Sequence, residues 1–213
     1  MTKNESSLID SNRAQKVSET DTFTSPRYRQ FYRHFPVGTR SVLDVGCNTG
    51  RGGAILKECE RLLELTGLDC VPERVAALDR NIYHNWLCGF TTDIPIGTAS
   101  FDVVVGGEFI EHVPPVQVNA TLAEFFRVLR LKGRLLLTTP NPNYLKNKIK
   151  GLSVLLDPSH VSQHYPECLS HRLRLIGFSN VRVYGSGRVS EILGQRFPVL
   201  SVYGSYLISA DKW

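Results

Sequence analysis

The stretch Val42-Leu-Asp-Val-Gly-Cys-Asn-Thr-Gly50 constrains this chain more than any other. An apolar run bounded by glycines, with a carboxylate near its end, predicts a parallel strand covered on both faces. The run should enter a tight turn and then a helix. Gly46 and Gly50 let the backbone bend sharply and approach a ligand closely, as only residues without a Cβ can. A second strand-like run, Leu65-Thr-Gly-Leu-Asp69, puts an acid 23 residues after Gly46. An acid near that offset meets ribose hydroxyls in nucleotide-binding α/β folds. Bound adenosine is therefore the first expectation, against the plainer one of a βα turn that binds nothing.

What the turn lacks narrows the adenosine ligand. A dinucleotide fingerprint needs glycine at its first, third and sixth positions, so that backbone amides crowd a pyrophosphate. Counting from Gly46, the third position is Asn48 and the sixth is Arg51. No Gly-Lys-Ser/Thr follows to cradle phosphates either.

Strands and helices alternate from Ser41 onward. Strands are predicted at 41–46, 64–69, 85–88, 101–105 and 134–139. Helices are predicted near 51–62, from Pro72 with Val75, Leu78 and Ile82 on its apolar face, after Pro114-Pro115, and at 166–176. Two late runs, 180–184 and 202–210, suit a terminal antiparallel hairpin. Such alternation implies a doubly wound, mainly parallel sheet of Rossmann-like type. Residues 1–24 lack periodicity and read as a mobile arm, and 25–213 as one domain. Ser25-Pro26 looks like an N-cap and first turn, opening a helix over about 25–35 with Tyr28, Phe31, Tyr32 and Phe35 on one stripe. That helix either docks on the core or forms a lid, with Arg27 or Tyr28 touching the ligand.

Several motifs in this order resemble the class I S-adenosylmethionine-dependent methyltransferases. Asp44-x-Gly46-x-x-x-Gly50 resembles their motif I. Ile94-Pro-Ile-Gly-Thr-Ala-Ser-Phe-Asp102 resembles their entry to strand four, and Glu108-Phe-Ile-Glu-His-Val113 the segment after it. Arg127-Val-Leu-Arg-Leu-Lys-Gly-Arg134 resembles the approach to strand five. The resemblance implies a seven-stranded sheet with an antiparallel terminal strand and S-adenosylmethionine as methyl donor, S-adenosylhomocysteine being the product. It puts Gly46, Cys47 and Asn48 around the donor's methionine part, with Asp44 and Gly50 shaping that loop. Asp69 would take the ribose hydroxyls, and Cys70 and Val71 would flank adenine. Phe90 stands where an acid is common, leaving Thr91, Thr92 or a backbone carbonyl for the adenine amino group. Gly106 and Glu108 complete the expected donor contacts.

Catalytic candidates are His112, Glu108 and His160. Glu108, Glu111 and His112 have i, i+3, i+4 spacing and could share a helical face. One reading has His112 or Glu108 take a proton from an acceptor hydroxyl; the other has Glu111 and His112 brace a loop. Glu-x-x-Glu-His with a later His160 or His164 also resembles the ligands of metal-using small-RNA 2′-O-methyltransferases. The simple-base reading, without metal, is preferred. Residues about 140–165 form an insertion rich in Asn and Lys, where the family builds its acceptor pocket. Its amides and Lys146, Lys148 and Lys150 suit a sugar, a nucleotide-linked sugar or another polar acceptor. RNA, or a non-catalytic donor-binding partner protein, are the alternatives.

Charge adds little: net +5 without a dense basic tract permits a nucleic-acid partner but does not favour one. Five scattered cysteines suit reduced thiols. No apolar run nears the ~20 residues of a membrane span, and no apolar signal core opens the chain. A cytoplasmic protein without a membrane partner is expected.

Overall fold

The computed structural model describes residues 3–14 and 22–213. Seven strands form one sheet: β1 (Ser41–Val45), β2 (Glu64–Asp69), β3 (Tyr83–Cys88), β4 (Phe101–Gly107), β5 (Leu129–Pro140), β6 (Ser179–Ser186) and β7 (Ser205–Asp211). Their order is β3-β2-β1-β4-β5-β7-β6. Pairs from β3 to β5 are parallel, and β7 runs antiparallel to both β5 and β6. The expected Rossmann-like sheet with its antiparallel terminal strand is therefore present. Strand order reverses between β1 and β4, and the crevice beyond their carboxyl ends is where such folds bind ligands.

Period-two alternation sorts each strand between two apolar layers. On β1, Leu43 and Val45 join the layer beneath α5 (Val118–Val128) and α7 (Pro166–Ile176). Val42 joins the opposite layer, beneath α2 (Thr24–Tyr32) and α3 (Arg51–Cys59), with Tyr28, Phe31, Leu56 and Tyr83. Asp44 has the same parity as Val42, so it is fully buried under the α2 and α3 layer.

Elements depart from expectation mostly at their ends. Helix α3 stops at Cys59, not near 62. Helix α4 covers only Pro72–Ala76, so Leu78 and Ile82 lie past its end. Strand β5 begins at Leu129, before Gly133, with Lys132 at φ 66° in its path. Ser25 is no cap: α2 opens at Thr24, and Phe35 lies past its end, edge-on to Tyr32 with centroids 5.6 Å apart. The insertion contains helix α6 (Leu145–Ile149) and a 3-10 turn at Val154–Leu156. A further short helix, α8 (Arg188–Leu193), precedes β7.

The N-terminal arm contains a helix, α1 (Lys3–Arg13), which differs from the expectation of aperiodic chain. It is tied to the end of α4: Arg74 Nη2 donates to the Asn12 carbonyl at 2.7 Å, and Arg13 lies 3.1 Å from Glu73. The remainder of that arm, 1–2 and 15–21, lies outside the described residues. Among the described residues, no helix is long and apolar enough to cross a membrane.

Candidate active site

A cleft of about 780 Å³ opens at the carboxyl ends of β1, β2 and β4. Its floor is the loop after β1. Gly46 has φ 65°, and a Cβ there would lie 2.9 Å from the Phe109 ring. Gly46 and Cys47 N–H both donate to the Leu68 carbonyl, at 2.8 and 3.2 Å, which ties the loop to β2. Asn48 follows at φ 50°, a left-handed conformation that Asn tolerates better than most side chains.

Asp69, at the end of β2, is buried on the cleft wall. Its Oδ2 accepts from Asn48 N–H and its Oδ1 from Val71 N–H, each at 2.9 Å. Burial raises its pKa, opposed by the Val71 amide and by Arg74. The carboxylate fixes the glycine loop while keeping lone pairs for a ligand, since each oxygen can accept twice.

Asp44 is placed differently. It does not line the cleft; it lies beneath, taking Tyr28 Oη–H at 2.7 Å and Tyr83 Oη–H at 2.6 Å. Burial raises its pKa to about 6, against the lowering by these two hydroxyls. Both carboxylate oxygens are engaged in holding α2 and β3 to β1, so Asp44 supports the loop from beneath and does not face the cleft. Gly50, Val71 and Gly106 also stay off the lining. Gly50 turns the chain into α3 at φ 86°. Gly106 packs, a Cβ there lying 2.8 Å from Leu137 Cδ2; its neighbour Gly107 lines the cleft instead.

Cys70, Phe90 and Thr91 line the cleft as expected. The Thr91 hydroxyl, however, pairs with the Thr121 hydroxyl at 2.9 Å and so faces α5.

Past β4, the helical face expected for Glu108, Glu111 and His112 does not form. Glu108 sits at φ 49°, and only Ile110–His112 make a 3-10 turn. Glu108 and His112 line the cleft while Glu111 lies fully buried behind it. Glu108 Oε1 lies 3.8 Å from Arg27 Nε, and its Oε2 accepts from Ser205 Oγ at 3.2 Å. Glu111 Oε2 accepts from Thr139 Oγ1 at 2.9 Å, while its Oε1 is buried and takes no hydrogen bond from the described residues. Burial, then the Glu108 charge, holds Glu111 well above the usual carboxylate range.

His112 Nδ1 is 2.9 Å from the Ser159 carbonyl. A carbonyl only accepts, so Nδ1 carries the proton and Nε2 is the basic nitrogen. Burial drops the imidazole pKa to about 4, so the ring is neutral at neutral pH. His160 is oriented likewise, Nδ1 donating to the Val154 carbonyl at 2.8 Å, with its ring centroid 5.0 Å from that of His112. Glu111, His112 and His160 offer ligand atoms within 4.8 Å of one another, a grouping that could hold a cation. His164 is not part of it; it is buried, 2.8 Å from Ser162 Oγ and 3.2 Å from the Ile110 carbonyl. Asn141 is likewise committed, its amide donating to the Leu200 and Tyr203 carbonyls.

The sequence reading did not single out Leu8 and Asn12 of α1, Arg74, Asp157 or Ser159, all of which line the cleft. Arg74 stands five residues after Asp69, inside Val71-Pro-Glu-Arg-Val, and that proximity was the available signal.

A glycine-turn floor, an acid at the end of β2 and polar groups after β4 line this cleft at the switch point of a doubly wound sheet, where such folds bind ligands. Comparison with known proteins narrows the class. Residues 43–137 match the methyltransferase domain family. A solved S-adenosylmethionine-dependent methyltransferase from Archaeoglobus fulgidus superimposes with a TM-score of 0.69 at 22% identity, over 88% of this chain and 92% of that one. Malonyl-[acyl-carrier protein] O-methyltransferase of Laribacter hongkongensis is 29% identical over 62% of this chain and 46% of its own. Ubiquinone biosynthesis O-methyltransferase of Xanthomonas oryzae pv. oryzae is 33% identical over 47% of this chain and 43% of its own. The chain spans about half the length of these curated relatives. Over residues 43–137 the chain is similar to the methyltransferase domain family, and its fold is that of the solved S-adenosylmethionine-dependent methyltransferase.

Proposed function

We propose that this chain transfers a methyl group from S-adenosylmethionine to an oxygen of a polar acceptor, a sugar hydroxyl or a related small-molecule hydroxyl, with His112 taking the proton. The observation that carries the reading is the His112 geometry: a neutral imidazole on the cleft wall, its Nδ1–H held by Ser159, its Nε2 the basic nitrogen. Both curated relatives named above are O-methyltransferases, which supports an oxygen acceptor.

Bound in the cleft, S-adenosylmethionine would supply an electrophilic methyl on a sulfonium. The backbone of Gly46 to Asn48 would hold its methionine part, and Asp69 its ribose hydroxyls. Arg27 and Glu108, 3.8 Å apart on the cleft wall, suit the carboxylate and the ammonium of the amino-acid end. Aligning acceptor and methyl while excluding water provides much of the acceleration in such a displacement. His112 then removes the hydroxyl proton, a step of the kind that contributes ~10²–10⁴-fold.

A second reading has a divalent cation assist. Glu111, His112 and His160 support it, together with the buried Glu111 Oε1, which takes no hydrogen bond from the described residues. A cation there would lower the hydroxyl's pKa and hold Glu111 ionised.

Transfer of labelled methyl to cell extract fractions, with donor affinity measured by calorimetry, tests both readings. His112→Ala should lower turnover roughly 10²-fold or more while leaving donor affinity nearly unchanged. Loss of donor binding in that variant would make His112 structural. Activity abolished by chelator and restored by Mg²⁺ or Mn²⁺ would favour the cation. Labelled RNA as product would replace the small-molecule acceptor, and tight donor binding without any transfer would favour a non-catalytic partner protein.

A further inference from the structure

From Asn141 to Leu156 the chain holds three lysines, at 146, 148 and 150, and no acidic residue. Leu145, Ile149, Leu152, Leu155 and Leu156 accompany them and are exposed. Helix α6 buries none of its residues. Leu145 and Ile149 are i and i+4 on it, hence on one face, and Ile149 is 76% exposed. Leu152 N–H donates to the Asn147 carbonyl at 2.9 Å, which folds the following chain back along α6. In the next turn Val154 is buried, whereas Leu155 and Leu156 stand in solvent, Leu156 at 61% exposure. Exposed aliphatics grouped along one short segment suit an interaction surface.

The geometry points to an anionic lipid surface as the partner of this face. Aliphatic side chains entering the headgroup layer, with lysines pairing to lipid phosphates around them, form the pattern of a peripheral membrane contact. A second copy fits worse, because a two-fold contact over this patch would set its lysines against themselves. Single-stranded nucleic acid fits worse too, since the exposed apolar side chains around the lysines are aliphatic and offer bases nothing to stack on. The lack of a spanning segment, on which the expectation of no membrane partner rests, does not bear on peripheral docking.

The patch leads straight into the cleft. Leu156 is followed by Asp157, Pro158, Ser159 and His160, all on the cleft wall. The Val154 carbonyl takes the His160 Nδ1–H at 2.8 Å. Docking through Leu155 and Leu156 therefore sets the mouth of the cleft at the headgroup layer. That the acceptor is presented from the lipid surface rests on the methyltransferase reading; the docking itself does not.

Co-sedimentation of the full chain with vesicles tests the docking. Binding to phosphatidylcholine vesicles containing roughly 30% phosphatidylglycerol should exceed binding to phosphatidylcholine alone at least about tenfold, and should fall with added salt. The double variant Leu155→Asp/Leu156→Asp and the triple variant Lys146→Glu/Lys148→Glu/Lys150→Glu should each lose about tenfold or more. Both should keep S-adenosylhomocysteine affinity in calorimetry, which shows that the fold persists. No sedimentation with anionic vesicles, or variants that bind like the native chain, would overturn the proposal. So would a dimer in light scattering that Leu155→Asp/Leu156→Asp abolishes. If the native chain sediments but binds no donor, the reaction reading fails and the docking stands.

Discussion

Asp44 is the residue on which two elements converge, and its ionisation carries a cost. An unfolded carboxyl of this type titrates near 3.8, and the fold raises it to about 6, chiefly by burial. Between those values the folded state binds the extra proton. The stability this contributes is complete below pH 3.8 and is lost as pH rises through 6. A shift of that size corresponds to about 3 kcal/mol, at about 1.36 kcal/mol per unit. Asn at this position mimics the neutral acid, accepting from one tyrosine and donating to the other. Asp44→Asn should therefore gain on the native chain by about 3 kcal/mol between roughly pH 4 and pH 7, as read by urea denaturation. A difference that does not change with pH would mean Asp44 is not held as described. The carboxylate itself was legible in the sequence, because motif I needs it; its partners were not. Tyr28 and Tyr83 lie 16 and 39 residues away, and only the packed sheet brings them together. His112 was legible for the opposite reason, since its neighbours in sequence also flank it in the cleft.

Helix α3 is the element that admits those tyrosines. A Cβ at Gly52 would lie 2.1 Å from Tyr28 Cζ, and one at Gly53 would lie 2.3 Å from the Tyr83 hydroxyl oxygen. In an ordinary helix interior, Gly→Ala stabilises by roughly 0.5–1 kcal/mol. Here the sign should reverse: the Tyr28 ring must move, and its hydroxyl leaves Asp44. Overpacking of this kind costs about 1–3 kcal/mol, so Gly52→Ala should lower the melting temperature. In the double variant Gly52→Ala/Tyr28→Ala the clash is gone, so its loss should fall short of the sum of the two singles. Additive losses would place the strain elsewhere. The sequence showed a glycine turn leading into this helix, but the rings that need the glycines belong to α2 and β3. Element ends were legible where a local signal stops the helix, as Gly177 does for α7. They were not where tertiary packing decides, as for α4, which ends at Ala76 although its apolar pattern runs on to Ile82.

At the scale of the whole molecule, the alternation of strands and helices made the mainly parallel sheet legible, whereas the strand order, and with it the reversal point that positions the cleft, came from the folded chain. Closure of the cleft by α1 was not legible, because it depends on Arg74 and Glu73 meeting residues 62 and 60 positions earlier in the chain. Adenosine bound in this cleft as proposed would meet α1, β1, β2 and the loop past β4, and would couple donor binding to the stability of all of them. Ligand at about 100 times its Kd stabilises the folded state by about 2.7 kcal/mol. In a chain of this length, each kcal/mol raises Tm by about 2–4 °C. S-adenosylhomocysteine at that level should therefore raise Tm by roughly 5–11 °C. NAD should leave it unchanged, because Asn48 and Arg51 stand where a pyrophosphate needs glycines. Asp69→Ala removes charge-assisted hydrogen bonds worth about 1.5–3 kcal/mol, so at the same ligand concentration its Tm rise should shrink by roughly half or more. Differential scanning fluorimetry reads all three. A native chain that shifts equally with NAD, or an Asp69→Ala variant that shifts as far as the native chain, would remove the adenosine site from the end of β2.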